Sequence, residues 1–121
     1  MRLQAYNATR ERLLADRAER ADTFVRRLVG WMGRPRAIRG EGLLITPCNA
    51  IHTFFMRMPI DVVFLDAQDT VVRLLHALPP WRATRPIPAA CAVLELPAGT
   101  LAATGTQEGD RLVVGGARDL L

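Results

Sequence analysis

Residues 60–75, IDVVFLDAQDTVVRLL, decide the fold. Two runs rich in β-branched and aromatic side chains, Ile60–Leu65 and Val71–Leu75, flank a polar turn, Ala67-Gln68-Asp69-Thr70. Such runs around such a turn form the pattern of a β-hairpin. One residue conflicts with its surroundings. Asp61 stands inside the first apolar run, where an unpaired carboxylate costs several kcal/mol. It needs water, a pair of backbone amides or a cation, and Arg57, just across Pro59, is the nearest cation in sequence. The expected arrangement is a carboxylate that caps the bend at Pro59 through backbone amides, with Arg57 laid over it as an ion pair. A catalytic acid is the weaker reading, because a lone carboxylate lacks the second group that acid–base chemistry uses.

Upstream, Ile51–Met58 reads as a further strand. Alternation would then put His52, Phe54, Met56 and Met58 on one face and Ile51, Thr53, Phe55 and Arg57 on the other. A single His in that company belongs at the edge of the core, donating a ring N–H to a backbone carbonyl. Cys48 and His52, with Cys91 as a distant third, have the residue types of a metal site but too few ligands and no Cys-x-x-Cys. A Cys48–His52 dyad for nucleophilic catalysis lacks an oxyanion hole and an orienting third group. No catalytic residue, metal ligand or cofactor is therefore assigned.

Downstream, the loop ALPPWRATRPIP (77–88) carries Trp81 and Arg82 side by side. This pair suits stacking on a sugar ring or nucleobase, or anchoring a partner's side chain; alternatively Trp81 folds back as a lid over a barrel mouth. Leu43–Ile45 and Ala89–Leu96 read as strands, 97–105 as a turn with one helical turn, and Arg111–Val114 as the last strand. Phe24, Val25, Leu28, Val29 and Met32 recur at helical spacing, which predicts a helix over about 23–32 with Asp22 or Thr23 as N-cap and Gly33 as C-cap. Residues 2–20 fit a helix or a hairpin, and periodicity leans to the helix. The sum is an α+β chain, mostly β: a small, compact, barrel-like antiparallel or mixed sheet of five to seven strands with one main helix.

A chain of 121 residues with 50% apolar and 23% charged side chains is one globular domain, taken as 1–121. No apolar run approaches the ~20 residues of a membrane-spanning helix, and no secretory signal opens the chain, so a cytoplasmic location is expected. There the two cysteines would remain thiols. All 16 basic side chains are arginines. Residues 1–39 hold ten of them against four acids, a local charge of +6, while the remainder carries −2. The acids Glu11, Asp16, Glu19 and Asp22 are interleaved with the arginines, the pattern of a solvated face, so nucleic-acid binding is disfavoured.

The run GEGLLITPCNAIHTFFMRMPIDVVFLD (40–66), followed by VVRLL, PPW, VLELPAGT and GDRL, resembles the domain of unknown function 192 family, and ADTFVRRLVGWMGR (21–34) is similar to that family's helix. The similarity runs from about residue 21 to 114. It implies a compact β-rich domain in which residues 2–7 and about 12–20 pair as a hairpin. It carries over no activity and no residue role. The residues themselves favour a non-enzymatic binding domain with a cleft between segment 47–59 and the Trp81 loop, lined or braced by His52, Arg57, Asp61, Trp81 and Arg82. Its ligand would be a small molecule or a partner protein's peptide. The alternatives are a Cys48/His52 or metal-dependent enzyme, or nucleic-acid binding through the basic N-terminal third. An exposed strand edge leaves room for a second subunit.

Overall fold

The computed structural model describes residues 2–116; Met1 and 117–121, which the single-domain reading also takes in, lie outside the described residues. In chain order the elements are β1 (Arg2–Asn7), β2 (Arg12–Ala21), α1 (Phe24–Val29), β3 (Gly40–Ile45), β4 (Ile60–Leu65), β5 (Val71–Leu78), β6 (Ala92–Pro97), α2 (Thr100–Thr104) and β7 (Leu112–Gly115). The strands form one sheet in the order β5-β4-β6-β3-β2-β1-β7. The ladder is parallel between β2 and β3 and antiparallel at its other five pairings. The sheet curls until the start of β5 meets the start of β7: Val71 donates to the Asp110 carbonyl at 2.8 Å and Leu112 to that of Asp69 at 2.9 Å. The result is the mostly-β, half-closed barrel that the hairpin pattern at 60–75 called for.

Both faces of the central strands are covered, so alternate residues feed two cores. Val63 and Leu65 of β4 join Leu94 and Leu96 of β6 and Leu3, Leu14 and Leu112 in one. Ile60, Val62 and Phe64 join Leu43, Val93 and Trp31 in the other. Every residue of β4 is buried, which explains why all but Asp61 are apolar.

The N-terminal segment is the hairpin that the family resemblance implied. Register irregularities in β2, at its pairing with both β1 and β3, explain the helical periodicity. They shift alternation by a residue, so Leu14, Ala18 and Ala21 are buried at spacings that mimic a helix. Two further expectations are corrected. The helix is shorter than 23–32: the Thr23 side chain caps Arg26 N at 3.2 Å, but the chain leaves the helix at Gly30, whose φ of 51° is a left-handed value that glycine tolerates. Segment 51–58 is not a strand. Its one ladder contact is the His52–Ala83 bridge, and Phe55 at φ 64° reverses the chain. Ile51, Thr53, Met56 and Met58 are buried, while Phe54, Phe55 and Arg57 are exposed, so the expected alternation does not hold.

Candidate functional site

Asp61 is fully buried, and its two oxygens are committed to backbone. Oδ1 accepts from Ala77 N at 2.8 Å; Oδ2 accepts from Leu101 N at 2.8 Å and Gly99 N at 3.1 Å. The carboxylate thus ties β4 to an irregular point on β5, where Ala77 has φ 48°, and to the start of α2. The amides that the sequence argument asked for are present, but they belong to distant segments. The Arg57 ion pair is absent: among the described residues the pairs are Arg10–Asp110, Arg17–Asp16, Arg26–Glu19 and Arg34–Glu41. Asp61 is a fastening between elements, away from the aromatic cluster described next.

Hydrogen bonds fill the space expected to be a cleft between segment 47–59 and the Trp81 loop. Thr53 N donates to the Arg82 carbonyl at 2.7 Å, Trp81 N to the Thr53 carbonyl at 3.0 Å, and Arg82 N to Thr53 Oγ1 at 2.9 Å. The two segments form one ledge. On it His52 stacks on Phe54 with ring centroids 5.2 Å apart, and Trp81 packs against Phe55 at 4.8 Å and Phe54 at 6.0 Å. His52 Nδ1 accepts the Phe54 amide at 3.1 Å, in place of the carbonyl donation expected from sequence. Trp81 remains 57% exposed. The ledge therefore gathers His52, Trp81 and the backbone of Arg82; Arg57 is exposed, and Asp61 is bound instead to Ala77, Gly99 and Leu101.

One concavity lies beneath α1, bordered by segment 45–56, and a wider one is lined by Arg82 and its loop neighbours with Phe64 and Arg73. The first, a cavity of about 270 Å³, has Phe24, Leu28 and Trp31 on one side, Cys48, His52 and Met56 on the other, and Glu95 among its lining. Glu95, on β6 between Leu43 of β3 and Val62 of β4, is 3% exposed, and its Oε1 has no hydrogen-bond partner. A Cβ placed on Gly30 would stand 3.8 Å from that oxygen, so the end of α1 lies directly over the carboxyl. Burial alone drives its pKa from 4.5 up to about 8. The Cys48 thiol is also pushed up, first by burial. The Ala50 backbone and Arg27 counter this, and nearby Glu95 adds to the rise; the thiol itself donates from Sγ to the Ala50 carbonyl at 3.0 Å. A raised, tied thiol is a poor nucleophile. Both cysteines are free, and among the described residues no three His, Cys, Asp or Glu side chains gather as a metal site.

A family model, DUF192, described as "Uncharacterized ACR, COG1430", matches residues 5–114. The chain belongs to the DUF192 family. A UPF0127 protein of Pyrococcus furiosus is 38% identical over 109 residues, covering 88% of this chain and 93% of the relative. A UPF0127 protein of Thermococcus sibiricus is 36% identical over 110 residues, covering 88% and 71%. Two crystal structures share the fold. One is a protein of unknown function from Novosphingobium aromaticivorans, with TM-score 0.79 and 20% identity over 92% of this chain and 82% of that one. The other is a putative transcription regulator from Sinorhizobium meliloti, with TM-score 0.77 and 24% identity over 93% and 91%.

In this DUF192 chain the two motifs that carried the resemblance, MRMPIDVVFLD and VLELPAG, cross on neighbouring strands: Asp61 pairs with Leu96 and Val62 with Glu95. Asp61 and Glu95 are thus adjacent in the ladder but face opposite sides of the sheet. Glu95 is the site residue that the sequence reading passed over. Its signal was available, a carboxyl inside the apolar run Val93–Leu96, and it is the same kind of signal that marked Asp61.

Proposed function

We propose that this protein is a non-enzymatic binding domain that seats the apolar body of a small ligand in the cavity between α1 and segment 45–56. The observation that carries this reading is the state of α1. None of its residues is buried, and Phe24 is 73% exposed and Leu28 53%, yet both border an open hollow. An amphipathic helix normally buries its apolar stripe. Here the stripe overhangs a cavity whose buried lining residues are Trp31, Ile45, Ile51, Met56 and Glu95, as it does where a ligand completes the packing. The ledge of His52, Phe54 and Trp81 adjoins the mouth through His52 and adds aromatic surface beside it. The raised Cys48 thiol and the engaged His52 Nδ1 favour binding over thiol catalysis.

Amide chemical-shift mapping with a neutral probe, 2-phenylethanol, tests the proposal. Saturable shifts should cluster on residues 27–32, 45–52 and 95, and Leu28→Glu should weaken them. Shifts scattered over the surface, or none at millimolar probe, would overturn it.

A further inference from the structure

The cavity lining is mostly apolar, with Arg27, Cys48, His52 and Glu95 as its polar members, and among the described residues none donates to Glu95 Oε1. We infer that Glu95 is the anchor for a small primary amine carried on an apolar stem, a step that rests on the binding role proposed above and names its ligand class. Oε1 of Glu95 is buried and unpartnered, and Glu95 lines the cavity. A buried acceptor left without a hydrogen costs on the order of 1–3 kcal/mol, and more when it is charged, so this oxygen favours a ligand that brings a donor. Among donors, an ammonium group gains most, because it supplies charge as well as hydrogens to a carboxylate in a low-dielectric site.

The surroundings leave that role open. From α1, Arg27 reaches the cavity, but its guanidinium donates to the Asp22 carbonyl at 2.9 Å. Beyond the helix, Arg34 is held by Glu41 at 2.9 Å and lies over the Trp31 ring at 5.4 Å. From segment 45–56 come the Cys48 thiol, bound to the Ala50 carbonyl, and His52, whose Nδ1 takes the Phe54 amide. Strands β3 and β4 present Leu43 and Val62 opposite Glu95. Among the described residues no cation pairs with the carboxyl. Trp31, Phe24, Met32 and Met56 give a polarizable lining suited to the stem beside an ammonium head. The volume of about 270 Å³ restricts the ligand to a small molecule.

The protonation balance is explicit. Below a pKa of about 8 the empty site holds a neutral carboxylic acid. When the ammonium binds, that acid gives its proton to solvent, the carboxylate forms, and an N–H of the ammonium donates to Oε1. Each amine bound therefore releases about one proton, and affinity rises with pH until the free site is already ionised.

The experiment is calorimetry of the full chain at about pH 6.5, in buffers of low and high ionisation enthalpy. Its three probes share a phenyl stem: phenethylamine, 2-phenylethanol and 3-phenylpropionate. Phenethylamine should bind about tenfold or more tighter than the alcohol and release about one proton, a release that fades above pH 8. Glu95→Gln should lose both the amine preference and the proton release. If the alcohol or the propionate binds as tightly as the amine, or if no proton is released by the wild type, Glu95 is not an amine anchor, although the cavity still binds. If none of the three binds, the binding role itself falls. The proton count in the wild type decides the matter without the variant, should Glu95→Gln fail to fold.

Discussion

Two carboxyl groups on adjacent central strands, Asp61 and Glu95, are both buried, but their surroundings differ in kind. Asp61 accepts three backbone amides, and its removal would strand all three. Asp61→Ala should lower stability by about 3–5 kcal/mol, read as a fall in the urea midpoint. Glu95 has the opposite sign. Its folded pKa of about 8 lies above the ordinary 4.5, so between those values the native state holds a proton that the unfolded chain has lost. Stability should therefore fall as pH rises through that window, by on the order of 4 kcal/mol when complete, and Glu95→Gln should abolish the fall. At the acid end, burial pushes the Asp110 carboxyl up, but hydrogen bonds from Arg10, Asn7 and Gln107 N together outweigh it and hold its pKa down. Its contribution is present above the usual carboxylate range and lost as pH drops below it. Urea midpoints measured from acid to about pH 9 would show both limbs. Asp61 was legible in the sequence because nothing in its run lets a carboxylate face water. Glu95 carried the same signal inside Val93–Leu96, but what covers it, a helix end contributed from far upstream at Gly30, cannot be read from its own run.

Among the elements, α1 is held in an unusual way. With no buried residue, it depends on the Thr23 cap and on Gly30. Its amides should exchange with solvent well before those of β4, and Thr23→Ala should speed their exchange about fivefold, the equivalent of about 1 kcal/mol, with little change in the global unfolding midpoint. A different constraint governs β3. A Cβ on Gly42 would stand 3.2 Å from Ala15 Cβ and 3.3 Å from Leu96 Cδ2. The alanine carbon has no torsion with which to retreat, so Gly42→Ala should cost about 1–3 kcal/mol, measured by thermal or urea unfolding. Elements set by local pattern were legible: the β4–β5 hairpin, β6, β7 and the start of α1. The reading failed where tertiary context overrode pattern. Irregular pairing in β2 imitated helical spacing, and the 51–58 segment spends its amides on the 79–84 loop instead of a neighbouring strand.

On the scale of the whole molecule, the sheet order interleaves segments remote in sequence: β6 lies between β4 and β3, and β1 between β2 and β7. Closing such pairs requires long loops to be ordered before any contact compensates for them. Refolding after stopped-flow dilution from urea should accordingly fall in the range of milliseconds to seconds, with no microsecond phase carrying most of the amplitude. The half-barrel could be anticipated from the number of short apolar runs and the turns between them; its two cores appear only in the folded sheet. Nor could the cavity be anticipated, since it exists only where α1 happens to overhang β6.

The placement of β1 has one more consequence. Gln4 is paired with Gly115, so the outermost ladder joins the beginning of the described chain to its end. A gene rearranged to start at Arg12 and to run from β7 through a brief glycine–serine splice into β1 would encode the same ladders in a new order. In such a permutant β1 would leave the ribosome after β7 instead of before it, and the finished sheet would keep the same ladders.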